Sequence, residues 1–130
     1  MKLEHVTLRK TTISQLHFVN NIEGTSINQL DLSVELDNNL EANNEDDSFV
    51  SKLHCKIYDK KDQETFNISI ELIGIFNVEE QLDLTNTSVN SFAMMILFPY
   101  IQSYISTLTT VAGIPPLYLP NLPVTVKPIE

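Results

Sequence analysis

Hydrophobic and polar residues alternate strictly in the first third of the chain. Leucine or valine occupies each even position from 30 to 36, and Asp, Ser, Glu and Asp occupy the odd positions from 31 to 37. A period of two is typical of a strand with one buried face and one solvated face. The pattern therefore predicts a strand over residues 27–37 whose solvated face is acidic.

Two further alternating stretches predict a β-hairpin. Residues 49–58 and 66–72 place apolar side chains mainly at every second position, and the polar turn Asp59–Asp62 separates them. Upstream, residues 3–19 mix β-branched and polar residues, which predicts either one long strand or two shorter ones. Residues 38–48 hold four asparagines and little that can be buried, so we expect a mobile acidic loop there.

The hydrophobic period changes to three and four residues in the last third of the chain, which predicts a long helix. Thr85, Asn86 and Ser88 are each able to cap its start, and Gly113 with two following prolines ends it. Pro99 removes a helical hydrogen bond inside the pattern, so we expect a kink or a break there. The predicted apolar face comprises Leu97, Tyr100, Ile101, Tyr104, Ile105, Leu108, Val111 and Ala112.

The C-terminal segment is both proline-rich and apolar. Five prolines fall within residues 113–130, so the segment is expected to be extended, and its leucines favour a position along a groove or sheet of its own subunit. No Asp, Glu, Lys or Arg occurs from residue 84 to residue 126. A monomer has difficulty hiding 43 uncharged residues, so we predict a dimer or a tetramer.

Composition narrows the class of protein. The 130 residues fit a single domain, and a net charge of -9 disfavours binding to nucleic acid. Cys55 is the only cysteine, which excludes an intrachain disulfide and indicates a reducing compartment such as the cytoplasm. The most apolar run, residues 92–101, is about half the length that a bilayer span needs, so we expect no membrane insertion.

Few residues indicate a catalytic, nucleotide-binding or metal-binding site. Three isolated glycines cannot build a phosphate-binding loop, so no nucleotide cofactor is expected. His5, His17 and His54 lack metal-site spacing, and ordinary strand histidines are favoured. Cys55 is favoured as a small core residue over a nucleophile. The acidic run Glu45–Asp47 lacks the glycine turn and closing glutamate of a calcium loop, so we expect it to be solvated.

Three segments resemble the protein-export chaperone SecB. Met95–Leu108 is similar to the SecB helix, in which I-L-F-P-Y precedes a stretch rich in serine and threonine. Gly74–Phe76 resembles the G-I-F at the end of the SecB hairpin, and Gly113–Val124 resembles the G-x-x-P-x-L-x-L-x-P segment after the helix. The similarity is good over residues 49–124 and weak over residues 1–48.

The resemblance implies an α+β fold: a four-stranded antiparallel sheet with a long, proline-kinked helix on one face and an extended proline-rich C-terminal segment. It also implies paired subunits that form a tetramer through their helices. The implied function is that of a holdase, a cytosolic chaperone that holds non-native polypeptides in apolar grooves without using nucleotide. A holdase with a restricted client, such as an antitoxin, and an interaction protein without chaperone activity both stay open, and a small enzyme is disfavoured.

Aromatic and methionine side chains fit either a core and subunit interface or an adaptable surface for other polypeptides. We expect a peptide-binding groove bordered by Phe76, Phe92, Phe98, Tyr118 and Leu122. We expect an oligomer interface that includes Ile68, Ile70, Tyr104, Ser106 and Leu108.

From the resemblance we expect the chain to lack the last helix and C-terminal tail of SecB. The outward hairpin positions through which SecB contacts the SecA motor fall on Asn67 and Ser69, and two positions in the first strand fall on Thr12 and Leu16. We therefore expect weak or no SecA binding. Acidic side chains at positions 31, 35, 37 and 71 still predict a negative sheet face.

Overall fold

A single antiparallel sheet and one long helix make up the described fold. The computed structural model describes residues 6–22, 30–43, 47–79, 83–114 and 117. The sheet has the strand order β1-β4-β3-β2, and the helix packs against β2, β3 and β4. This is the α+β architecture that the sequence predicts. The elements are β1 (Val6–Asn20), β2 (Leu32–Asn43), β3 (Ser48–Asp59), β4 (Phe66–Val78) and α1 (Thr87–Val111).

The core lies between α1 and one face of the sheet, which we call the inner face; the opposite face is the outer face. Alternation in β3 and β4 sends every second side chain to the inner face, where the apolar ones are at most 2% exposed. Burying one such side chain contributes about 1.5–3 kcal/mol. The strand residues concerned are Phe49, Leu53, Cys55, Ile57, Phe66, Ile68, Ile70, Leu72 and Phe76.

β1 is one continuous strand with two irregularities. Its pairing with β4 shifts by one residue at Arg9 and again at Ser14. An extra residue in one strand moves every following side chain to the opposite face, so the apolar alternation is interrupted twice. This explains why the sequence alone left open whether residues 3–19 form one strand or two.

β2 is longer and lies later than predicted. Residues 27–29 lie outside the described residues, the strand begins at Leu32, and it continues to Asn43, so residues 38–43 are not a loop. β3 begins at Ser48. Pairing with β3 supplies the backbone hydrogen bonds of this segment, and Asn38 finds partners on the inner face. Residues 44–46 lie outside the described residues.

Asn38 illustrates why an asparagine-rich segment can form a strand here. Ser51 Oγ donates to Asn38 Oδ1 at 2.7 Å, and Asn38 Nδ2 donates to Asn90 Oδ1 of α1 at 2.7 Å. Both hydrogen bonds are partly buried, where an unpaired amide would be costly. The side chain therefore joins the sheet to the start of the helix.

The two ends of α1 match the prediction. Asn86 is the N-cap, and its side chain accepts a hydrogen bond of 2.8 Å from the Ser88 backbone N–H. Gly113 follows the helix with a φ of +82°, a conformation that strongly favours glycine.

The helix continues through Pro99, so of the two predicted outcomes the break does not occur, and the kink stays a prediction. Pro99 and Met95, whose carbonyl loses its helical partner, both lie on the exposed side, where water can take the place of that partner. The buried residues Leu97, Phe98 and Ile101 hold the chain on both sides of the proline.

The buried side of α1 differs from the predicted apolar face. Residues at every fourth position from 89 to 109 are buried, together with Phe98. A spacing of four drifts about 40° around the helix at each step, so the covered side rotates along α1. Tyr100 and Val111 are therefore 41% and 80% exposed, whereas Thr109, which is not part of the predicted apolar face, is fully buried.

The length of α1 also bears on the expectation of no membrane insertion. With 25 residues it is long and apolar enough to cross a bilayer by length and composition alone. A core helix of a water-soluble protein meets the same criterion, and α1 contributes Leu97, Ile101 and Ile105 to the core. The absence of membrane insertion stays a prediction.

Candidate functional site

Two apolar strips on the inner face are left uncovered by α1. The centres of the outer strands of a four-stranded sheet lie about 14 Å apart, whereas a helix with its side chains is about 10–12 Å wide. Ile13 and Leu16 of β1 are consequently 37% and 51% exposed, and Val34 of β2 is 43% exposed. We call these strips the β1 margin (Ile13 and Leu16) and the β2 margin (Val34).

The β1 margin is continuous with the core. Ile13 pairs with Leu72 and Leu16 pairs with Ile70, and both β4 residues are buried beneath the helix. Further along β1, Phe18 packs edge-on against Phe66, with ring centroids 6.0 Å apart. An extended segment lying here would rest on an apolar floor with the helix as one wall.

The β2 margin has a different character. Val34 lies on the same face as Leu36 and Leu40, which are half-buried against the core. Asn38 interrupts this apolar row, although its amide is engaged by Ser51 and Asn90. The inner-facing row of β2 is therefore apolar and exposed at Val34 and polar at Asn38.

The outward side of α1 forms a third exposed surface. Met95, Tyr100 and Val111 are 46%, 41% and 80% exposed, and the positions around them are uncharged. Apolar side chains on an uncharged helix surface offer area that another polypeptide can cover. We call Tyr100 and Val111 the outer helix stripe, because eleven residues of α-helix bring them to nearly the same angular position, whereas Met95 lies about 140° from Tyr100 around the axis. The sequence placed Tyr100 and Val111 on the predicted apolar face.

The predicted groove residues lie in different environments. Phe76 is fully buried and stacks on Phe49, with ring centroids 5.0 Å apart and an interplanar angle of 7°. Phe98 is 4% exposed, so both rings fill the core and are not open to a client in this structure. Phe92 is half-buried. Tyr118 and Leu122 lie outside the described residues.

The predicted oligomer residues also divide into two groups. Ile68 and Ile70 are 0% and 1% exposed on the inner face, covered by the chain's own core, so they offer no surface to a second chain. Strand alternation alone cannot show which face the helix covers. Tyr104, Ser106 and Leu108 are half-buried along α1, and their interface role stays a prediction.

The four positions that align with the SecA-contacting positions of SecB lie on two different faces of the sheet. Asn67, Ser69 and Thr12 lie on the outer face, whereas Leu16 lies on the inner face. Asn67 Oδ1 is buried and has no hydrogen-bond partner among the described residues.

The outer face is less negative than expected because lysines accompany the acidic residues. Lys52 Nζ lies 3.4 Å from Glu41 Oε1, and the Lys56 ammonium lies 4.9 Å from the ring centroid of Tyr58. Tyr58 in turn donates to Glu35 at 2.8 Å. The face therefore carries mixed charge rather than a uniform acidic field.

Reactive groups do not form a catalytic arrangement in the described part of the chain. Burial raises the pKa of the Cys55 thiol to about 12, which keeps it protonated and unreactive. His54 Nε2 and Ser69 Oγ are 2.9 Å apart, but they lie on the open outer face, where strand pairing already occupies the backbone N–H groups of β3 and β4. No group of three His, Cys, Asp or Glu side chains among the described residues is arranged to hold a metal ion.

Similarity to known proteins extends over most of the chain. The family model described as preprotein translocase subunit SecB matches residues 6–125. The uncharacterised protein MJ0357 of Methanocaldococcus jannaschii is 31% identical over 114 residues, covering 85% of this chain and 74% of that protein. The SecB-like chaperone Rv1957 of Mycobacterium tuberculosis, solved in complex with a ChAD peptide from the Rv1956 HigA1 antitoxin, matches with a TM-score of 0.75 and 19% identity, covering 91% of each chain.

Proposed function

Since this chain belongs to the SecB family, we propose that it is an ATP-independent holdase for non-native polypeptides. The observation that carries the proposal is the exposed apolar surface of the β1 and β2 margins beside α1. Covering apolar surface contributes about 25 cal/mol per Å², and unfolded segments carry the side chains that can cover it. Binding of this kind needs neither a catalytic group nor a cofactor.

The proposed client is an extended segment, and a restricted client is favoured over a general one. The solved SecB-like chaperone of M. tuberculosis binds a peptide from an antitoxin, which supports the same chemical class of client here. The β1 margin fits such a segment because its floor is a strand edge with two exposed aliphatic side chains, Ile13 and Leu16. We place this activity in the cytoplasm.

We also propose that the chain forms a dimer or a tetramer through α1. The outer helix stripe supports this because Tyr100 and Val111 are exposed on one side of a helix without charges. Tyr104, Ser106 and Leu108 lie half-buried on the same helix and would extend the contact.

Coupling to SecA is not part of the proposal. Asn67 and Ser69 occupy the outer-face hairpin positions, and lysines offset the acidic residues around them. Attraction of a basic partner to mixed charges is weak and salt-sensitive. We expect no saturable submicromolar binding of SecA at about 0.15 M salt.

An interaction protein of the SecB fold without chaperone activity is the second candidate. The observation that favours it is the closure of Phe76 and Phe98 inside the core, which leaves less aromatic surface for clients than predicted. The two candidates differ in whether the chain suppresses aggregation of an unfolded protein.

A pair of adjacent substitutions tests the holdase proposal. Leu16 and His17 are neighbouring exposed residues of β1 that point to the inner and outer faces respectively. Leu16→Asn removes apolar surface from the β1 margin, whereas His17→Asn changes only the outer face. We expect Leu16→Asn to weaken binding of reduced, carboxymethylated α-lactalbumin about five- to tenfold, and His17→Asn to leave it unchanged.

Calorimetry tests the same interaction by measuring the heat-capacity change on client binding. Burial of apolar surface gives a negative heat-capacity change on binding, and the change should be smaller in Leu16→Asn. Absence of both client binding and aggregation suppression in the wild-type chain would favour the second candidate. Equal weakening by the two variants would exclude the β1 margin as the binding surface.

A further inference from the structure

An extra residue lies between the two side chains of the β1 margin. Ile13 and Leu16 pair with inner-facing residues of β4 that are two positions apart, so β1 has two residues where β4 has one. Gln15 pairs with that one residue, Glu71, and Ser14 is the extra residue. Such an insertion is a β-bulge, which bends its strand, increases the local twist and re-aims the neighbouring side chains.

Ser14 is held from the outer face of the sheet. Its Oγ donates to Glu71 Oε1 at 3.0 Å, and the Glu71 carbonyl oxygen lies 3.3 Å from the same hydroxyl. Glu71 stands between the inner-facing residues Ile70 and Leu72, so its carboxylate lies on the outer face. A hydrogen bond to a charged acceptor is stronger than one between neutral groups. The bulge is therefore stabilised from the side opposite to the β1 margin.

The exposure of the inner-facing row of β1 is greatest on the two sides of Ser14. Along this row Val6 is buried and Leu8 is half-buried, Ile13 and Leu16 are exposed, and Phe18 is half-buried again. The narrow helix explains why β1 is poorly covered, but it does not explain why exposure rises and falls along the strand. The bulge coincides with the place where the apolar row leaves the core.

We infer that Ser14 is a positioning residue of the client surface, because the bulge that it forms directs Ile13 and Leu16 out of the core. This inference rests on the proposed holdase function. The hydroxyl of Ser14 points to the outer face, so Ser14 acts on the β1 margin through the backbone and does not itself contact the client.

β1 provides a matched control in its first bulge. Arg9 is the extra residue there, and the inner-facing neighbour Leu8 packs against the core. Deletion of Ser14 or of Arg9 removes one extra residue each and allows all the paired residues of β1 to keep their β4 partners and their faces. Only the deletion of Ser14 straightens the strand at the β1 margin.

Thiol labelling measures the geometry without any client. In Leu16→Cys the new thiol lies on the β1 margin, while the buried Cys55, whose pKa is raised to about 12, does not compete for iodoacetamide. We expect deletion of Ser14 to slow labelling of Leu16→Cys by about threefold or more, and deletion of Arg9 to leave it unchanged. Labelling of His17→Cys on the outer face should be equal in all backgrounds and reports general unfolding.

Client affinity is measured in the full chain with Leu16 retained, using reduced, carboxymethylated α-lactalbumin. Deletion of Ser14 should weaken binding about fivefold, whereas deletion of Arg9 should leave it unchanged. Ser14→Ala keeps the extra residue but loses the hydrogen bond to Glu71, and should weaken binding about two- to threefold if the deletion variant does not fold. Glu71→Gln keeps an oxygen that accepts from Ser14 and should match the wild type.

Equal labelling of Leu16→Cys with and without Ser14 would overturn the inference, because the bulge would then not set the exposure of the β1 margin. Slower labelling with unchanged client affinity would overturn it as well, and so would equal loss of affinity in the two deletion variants. If the wild-type chain binds no client, the proposed holdase function fails and the positioning role fails with it. Wild-type binding that survives deletion of Ser14 would remove the positioning role alone.

Discussion

Gly74→Ala is expected to overpack the contact between β4 and α1. A Cβ atom at this position would lie 2.7 Å and 3.1 Å from the two methyl carbons of Leu97 and 3.2 Å from Phe76 Cε2. Carbon atoms in contact lie about 3.5–4.0 Å apart, so a Leu97 methyl group must move by about 1 Å. Leu97 and Phe76 are both fully buried, which leaves little room for that movement.

The expected cost follows from two opposing effects. Overpacking a core costs about 1–3 kcal/mol. Replacing glycine in the middle of a strand contributes about 0.5–1 kcal/mol in the opposite direction, because alanine has less freedom in the unfolded chain. We therefore expect Gly74→Ala to lower the free energy of unfolding by about 1–2 kcal/mol.

A double-mutant cycle with Leu97→Ala isolates the cause. Leu97→Ala alone should cost about 2–5 kcal/mol because it opens a cavity. In that background the added methyl group has space, so Gly74→Ala should be neutral or stabilising, with a coupling energy of at least about 1 kcal/mol. Urea unfolding at fixed protein concentration measures all four chains. The reasoning is refuted if Gly74→Ala costs the same with and without Leu97.

Three further predictions follow from individual side chains. Asn38→Ala should lower the free energy of unfolding by about 1–3 kcal/mol in urea, because it leaves the polar groups of Ser51 and Asn90 without their shared partner; an unchanged midpoint would contradict this. The Cys55 thiol should resist iodoacetamide at pH 8 until the chain unfolds, since burial raises its pKa to about 12. As pH rises above about 8.5, the pKa of the thiol in the unfolded chain, the free energy of unfolding should fall, because the unfolded state loses the thiol proton while the folded state retains it. Rapid labelling of the native chain would refute both statements. Ser106→Glu should shift light scattering toward the mass of a monomer, because a carboxylate without a partner is costly in a subunit contact, and an unchanged mass would remove Ser106 from the interface.

Local sequence signals determined the element types and several boundaries. The period-two pattern identified β3 and β4, because both strands lie in the middle of the sheet and bury one complete face. Gly113 marked the end of α1, and Asn86, one of three candidate caps, marked its start, since capping and a positive φ depend on the residue at that position. The family resemblance rested on the same C-terminal half of the chain.

Only the tertiary structure decided which faces are covered and which stay open. Residues 38–43 form a strand because β3, Ser51 and Asn90 supply partners that are distant in sequence. The exposure of Ile13, Leu16 and Val34 depends on the helix being narrower than the sheet, a relation between elements that no local pattern encodes. Burial of Phe76 and Ile68 likewise depends on where α1 lies. Apart from residues 38–43, the sequence determined the types of the described elements because backbone preferences are local, and the structure decided the candidate site because burial is set by packing between elements.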